Sequence, residues 1–366
     1  MIWDKIGNEE KNSGMEKKER EKYRDRIRGS LIGGAVGDAL GYPIEFLTYK
    51  EITGKYSKDG LQNYVLEAES GEAVISDDTQ MTLFTASGIL EGDREGEKGR
   101  GRKSPSYYVG NAYEDWLITQ TGRKKQYKGR SRLLEIPGLW KRRAPGNTCL
   151  QAIASGRKGS IREPINNSKG CGGVMRVAPL GLHYGPVQDE AQRRELDREG
   201  AELAALTHGH PLGYLPAAIL THIINLGVYG GCKRGETLSD GIWDAVDAAK
   251  EVFGTGKDME IQERLIMQAA EFAGNEKPDI ENIPLLGGGW VAEETLAIAV
   301  YCSLRYQDDF TRALTASVNH SGDSDSTGAV TGNILGAWLG YGAIDDKWKK
   351  DLELRGVILK IADALC

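Results

Sequence analysis

Apolar positions recur at helical spacing along most of the chain. Val109, Ala112, Tyr113, Trp116 and Leu117 follow i, i+3, i+4, i+7 and i+8, which puts them on one face of an amphipathic helix. Leu296, Val300 and Leu304 form a second stripe flanked by Ala297 and Ala299, and Leu314 and Val318 mark a third. Residues 201–207, 216–226, 79–90 and 329–339 also read as helices. Alternating apolar and polar runs are scarce, and a strand–helix–strand rhythm is absent. The pattern predicts an all-α fold. Residues 28–41 are dense in glycine, which lowers helix propensity, so they point to close helix–helix contact or to backbone beside a ligand.

Polar stretches divide the chain. Residues 1–22 form a charged extension in which 16–22 are almost entirely Glu, Lys and Arg, with no face to bury. It reads as a solvated tail, or as a partner-binding arm anchored by Ile2, Trp3 and Ile6. The packed domain is expected over 23–366. Residues 91–104 and 121–132 read as exposed loops, with Lys141, Arg142 and Arg143 adding to a solvated basic patch. No internal repeat or linker is evident, which predicts one compact domain.

The net charge of −6 argues against general nucleic-acid binding, which needs a broad cationic footprint. Five scattered cysteines without a CxxC pair read as a reduced, cytoplasmic protein. No signal peptide is visible, and no uninterrupted apolar run approaches the ~20 residues of a membrane span, so no membrane is expected as a partner.

Two acidic clusters carry the chemistry. Ser76-Asp77-Asp78-Thr79 has apolar flanks, so its adjacent carboxylates are expected to be partly buried. Asp323-Ser324-Asp325-Ser326-Thr327 lies between Gly322 and Gly328. Both clusters also suit helix N-caps. Their hard oxygen donors fit Mg²⁺, Mn²⁺ or Ca²⁺ rather than zinc, and folding could bring them together around two cations. An EF-hand is excluded by the absence of a Glu at the twelfth position.

Gly170-Cys171-Gly172-Gly173, preceded by Ser168, is a tight glycine-rich turn that can offer N–H groups to a phosphate. It lacks the Gly-Lys-Ser/Thr ending of a Walker loop. Cys171 has no evident His partner and reads as a small loop residue. His208 and His210 have no neighbouring carboxylate or cysteine, and read as hydrogen-bonding groups at a helix end rather than zinc ligands. His320 stands beside the second acidic cluster and is expected to line the site.

In this order the pieces resemble the ADP-ribosylglycohydrolase family. They are Gly37-Asp38-Ala39-Leu40-Gly41 with Glu45, Ser76-Asp77-Asp78-Thr79, Arg143-Ala144-Pro145-Gly146-Asn147-Thr148, residues 168–179, Thr207-His208, and residues 319–333. The resemblance implies a single orthogonal helical bundle with two divalent cations, Mg²⁺ or alternatively Mn²⁺, in a cleft. It implies Ser76, Asp77, Asp78, Asp323, Asp325 and Ser326 as metal ligands, and Glu45 and Asp323 as the catalytic pair. Ser168, Gly170, Cys171, Gly172, Gly173 and His208 would receive ADP-ribose. The chain departs from the family's common pattern with Ser for Thr at Ser76 and Ser326, and with Cys171 where Asn is frequent.

The activity so implied is removal of ADP-ribose from ADP-ribosylated protein, with arginine as the linkage. Cleaving such an N-glycosidic bond develops oxocarbenium charge at the anomeric carbon, and hard cations can hold the ribose diol and orient a water. The alternatives are a hydrolase of another ADP-ribosyl conjugate, and a binding or immunity factor that neutralises an ADP-ribosyltransferase through residues 1–22.

Overall fold

In the computed structural model, the described residues are 17–99, 103–122, 130–231 and 233–366. They contain helices and short 3₁₀ segments but no strand; only isolated bridges join Ala73 to Leu352 and Gly170 to Val291. Each apolar stripe falls within a helix. The first lies in Pro105–Thr121, the second in Ala292–Arg305 and the third in Phe310–Val318. Residues 201–207 largely fall in Glu190–Ala205, and 216–226 lie inside Pro211–Tyr229.

The architecture is organised around one helix pair. Lys17–Gly41 packs along Ser324–Leu339. Gly29, Gly33 and Gly37 face Gly336, Gly332 and Gly328 in turn, and Gly41 meets the backbone of Ser324 and Asp325. A Cβ added at Gly33 would stand 2.3 Å from the Gly332 carbonyl oxygen, so the two backbones meet with no room for a side chain. The glycine density of 28–41 thus does become close helix contact. The remaining helices wrap this pair in a continuous core that includes Trp116, Tyr113, Tyr301 and Trp348.

Several expectations change. Residues 91–97 are not loop but the end of helix Asp77–Glu97. Pairing of Arg94 with Glu91 and of Lys98 with Glu95 supports that last turn, and Gly92 lets it pack on the Tyr108 ring. Arg143 is not solvated: it is buried, paired with Glu353 at 3.4 Å, and donates to the Ile75 carbonyl. Helix Pro211–Tyr229 is long and apolar enough to cross a membrane by length and composition, yet 89% of its apolar window is buried inside the protein. Residues 1–16 and 123–129 lie outside the described residues, and so do most of the proposed partner-binding arm and the centre of the basic segment 121–132. Lys17 to Lys22 are the exposed first turns of the N-terminal helix. Cys149, Cys171 and Cys302 are free thiols.

Candidate active site

The glycine seam places two helix N-termini side by side. Asp38, fully buried on the N-terminal helix, accepts the Ser76 N–H at 2.9 Å, the Thr79 N–H at 3.0 Å and the Thr79 hydroxyl at 2.5 Å. It thereby ties the start of helix Asp77–Glu97 to the seam. Ser76 is that helix's N-cap, its hydroxyl accepting from the Asp78 N–H at 3.1 Å. Asp323 caps the facing helix by accepting from the Ser326 N–H, which Asp325 also receives at 3.0 Å. Both clusters are therefore caps and also converge, since Asp77, Asp78, Asp323, Asp325 and Ser326 line one cleft of about 750 Å³. Backbone N–H groups at helix starts favour negative charge there.

Glu45, just after the 3₁₀ turn Tyr42–Ile44, completes the acidic floor. Single oxygens of Glu45, Asp323 and Asp325 lie within 4.8 Å of one another. Burial, then Asp323 and Asp77, push the Glu45 carboxyl up to about 9. Burial raises Asp77 to about 8, and Asp78 and Asp325 rise well above the carboxylate range through burial and their acidic neighbours. Among the described residues, no lysine, arginine or histidine forms an ion pair with any of these five groups. Glu45 Oε2 and Asp78 Oδ2 are buried without a hydrogen-bond partner. Five carboxylates crowded this way need a compensating positive charge. The hydroxyl of Ser326 and the carboxylate oxygens are the hard donors a divalent cation takes, so the residues fit such ions.

The opposite wall is the glycine-rich loop. Gly170, Cys171 and Gly172 line the cleft where the 3₁₀ turn Cys171–Arg176 begins. A Cβ at Gly172 would stand 2.8 Å from Cys149 Sγ and 3.0 Å from His208 Cε1, so the loop can sit this deep only with glycine there. Ser168 lies behind the wall, its hydroxyl 3.3 Å from that of Thr148. Gly173 is buried against the Gly213 carbonyl and does not reach the cleft lining. Ser76, spent on capping, does not reach it either.

His208 lines the cleft in a defined protonation state. Burial, then Arg176, lower it to about 3, so the ring is neutral. Arg176, fully buried and stacked 4.3 Å from the Tyr113 ring, donates to Thr207 Oγ1 at 2.6 Å. The Thr207 hydroxyl hydrogen is then free for His208 Nδ1 at 2.8 Å. In the tautomer in which that hydroxyl donates to Nδ1, the imidazole proton sits on Nε2, the atom nearest Gly170. His210 instead caps helix Pro211–Tyr229, as its position at a helix end implied. His320 is buried behind the site on Thr327 at 3.0 Å and is not part of the lining, contrary to the sequence expectation.

Sequence reasoning missed Asp38 as the tie between the clusters. It also missed Phe46, Arg142, Met175 and Trp290, which line the cleft. Asp38 and the Asn147-Thr148 pair sat inside motifs that were noted but given no role.

With this geometry in view, the chain belongs to the ADP-ribosylglycohydrolase family, whose sequence profile matches residues 19–366. Among its relatives, the ADP-ribosylhydrolase ARH3 of Homo sapiens is 27% identical over 214 residues, covering 51% of this chain and 54% of that protein. The chain thus spans about half the length of such relatives. The uncharacterized protein YegU of Escherichia coli (strain K12) is 25% identical over 286 residues, 77% of this chain and 76% of that one. A solved ADP-ribosylglycohydrolase-related protein complex shares the fold with a TM-score of 0.65 at 22% identity, over 94% of this chain and 98% of that chain.

Proposed function

We propose that this chain is a divalent-cation-dependent hydrolase that releases ADP-ribose from ADP-ribosylated protein, with ADP-ribosyl-arginine as substrate. The observation that carries the reading is the set of five buried, uncompensated carboxylates facing a glycine-rich loop across one cleft. Asp77, Asp78, Asp323, Asp325 and Ser326 would hold two cations, Mg²⁺ or Mn²⁺, with Glu45 at their edge. Bound cations supply Lewis acidity and orient a water at the ribose.

The chain's own groups do the rest. The loop at Gly170, Cys171 and Gly172 admits a pyrophosphate against backbone, and the neutral His208 ring stands beside it. Buried Arg176 adds fixed positive potential beneath that loop. Glu45, whose Oε2 has no hydrogen-bond partner, is placed to exchange a proton with water or with the departing guanidine nitrogen. Asp323, fixed by the Ser326 N–H and by its own N–H on the Gly288 carbonyl, keeps the acidic floor in place.

The test is release of free ADP-ribose from arginine-ADP-ribosylated protein with Mg²⁺, with Mn²⁺, with EDTA, and with Asp78→Ala. Release that needs the cation and is lost in the variant supports the reading. Release that persists in EDTA refutes the cation requirement, and absence of release from arginine conjugates under every condition refutes the substrate.

A further inference from the structure

Two large aromatic side chains stand in solvent at the mouth of the cleft. Phe46 is 71% exposed and Trp290 is 44% exposed. Their rings stack with centroids 5.7 Å apart and planes 22° from parallel, and both line the cleft. Burial in the core does not explain them, because both rings keep a large exposed area.

Both rings are tied to the acidic floor. The Trp290 carbonyl accepts the Cys171 N–H at 3.2 Å, and the Gly288 carbonyl accepts the Asp323 N–H at 2.8 Å. Glu294 receives the Gly288 N–H at 2.9 Å and the Gly289 N–H at 3.2 Å, which fixes the turn before Trp290. Phe46 directly follows Glu45, whose carboxylate stands beside those of Asp323 and Asp325. Phe46 therefore lies one residue from the acidic floor and Trp290 backs onto the glycine-rich loop, both on the solvent side of the cleft, so the leaving group of an ADP-ribosyl conjugate seated on that floor and loop would project past them.

A flat cation suits this position twice over. Guanidinium stacks on aromatic faces, and the carboxylates behind the rings attract positive charge. A serine-linked conjugate offers neither plane nor charge. We infer that Phe46 and Trp290 form the acceptor-side subsite, selecting conjugates in which ADP-ribose is attached to a guanidinium. This rests on the hydrolase reading above and names the residues that would give it linkage selectivity.

The test compares kcat/KM for arginine-linked and serine-linked ADP-ribosyl peptides in wild type, Phe46→Ala, Trp290→Ala and Trp290→Phe, together with ADP-ribose affinity by calorimetry. In the alanine variants the arginine-linked kcat/KM should fall about 3- to 30-fold, mainly through KM, while the serine-linked value and ADP-ribose affinity move less than about twofold. Trp290→Phe should keep most of the selectivity. A parallel fall in all three quantities would make the pair a support for the whole cleft, and overturns the inference. So does an unchanged arginine value, or a wild type that prefers the serine linkage. A wild type that binds ADP-ribose but cleaves neither peptide sinks the hydrolase reading itself, and the subsite with it, a pattern distinct from lost selectivity alone.

Discussion

Gly37→Ala isolates the link between packing and chemistry. The new Cβ would stand 2.0 Å from the Gly328 carbonyl oxygen and 2.2 Å from its carbon, on backbone that cannot rotate away. Ordinary contact begins at 3.4 Å, so the helices must separate locally by about 1.4 Å. Overpacking of this kind costs about 1–3 kcal/mol, partly offset by about 0.5–1 kcal/mol from the better helix propensity of alanine. At about 2.1 cal/mol/K of unfolding entropy per residue, the net loss corresponds to a Tm drop of only about 1–3 °C. The effect on the site should be much larger. Gly328 lies less than one turn after Asp325 on the helix that Asp323 caps, and a misplacement near 1 Å can cost about 100-fold in rate. The assay pairs thermal melting with ADP-ribose release, using Gly356→Ala as the control. Gly356 sits in helix Arg355–Leu365 with nothing near its would-be Cβ, so that variant should melt no lower than wild type and keep full activity. Wild-type turnover in Gly37→Ala would refute the claim that the seam sets the site.

Three further outcomes are expected. The folded values of Asp77 (about 8) and Glu45 (about 9) lie above those of an unfolded chain, so the folded state holds more protons between the two and stability falls as pH rises through that window. Melting in EDTA should therefore show Tm falling from about pH 5 to about pH 9, with excess Mg²⁺ flattening the slope; a flat profile in EDTA would contradict the electrostatic account. Asp38→Ala removes the acceptor for Ser76 and Thr79, and should cost about 1–2 kcal/mol with a larger than tenfold loss of ADP-ribose release, checked by melting and turnover together. His222 bridges buried Asp197 at 2.7 Å and Asp244 at 3.7 Å; burial lowers its proton affinity, but Asp197 and Asp244 together outweigh this and hold it charged to about 9. His222→Ala strands Asp197 and should cost about 3–5 kcal/mol in chemical denaturation, with kcat of the folded protein unchanged because this cluster lies outside the cleft.

The parts of the site legible in sequence were those written as adjacent residues. Asp77-Asp78 and Asp323-x-Asp325 announce hard donors because neighbouring carboxylates are costly unless something uses them. Helix positions were legible for the same local reason: stripes such as Val109 to Leu117 need no partner to be seen. Asp38 was not, because a single Asp in a glycine-rich helix acquires meaning only when Ser76 and Thr79 are folded onto it. Phe46 and Trp290 gave no local signal either, since an isolated aromatic residue normally fills core. Residues 91–97 misled because glycine and charge resemble a loop, while the Tyr108 ring that keeps Gly92 helical comes from another helix. The glycines at 328, 332, 336 and 340 carried a signal that went unread: they repeat the four-residue interval of 29, 33, 37 and 41.

That shared interval has a consequence for axial register. A slide of one helix past the other by four residues, about 6 Å, would again lay glycine on glycine. The seam alone is therefore translationally degenerate. Asymmetric contacts break the tie, above all this one: Asn333 Nδ2 donates to the Ser30 carbonyl at 2.8 Å, and the Ser30 hydroxyl donates back to the Asn333 carbonyl at 3.0 Å. Gly34 is the socket for this amide, since a Cβ there would lie 2.1 Å from Asn333 Nδ2. Asn333 sits eight residues beyond Asp325, about 12 Å along the axis. It touches nothing in the cleft, yet it is the index mark that decides which turn of its helix faces Asp38 and the other acids.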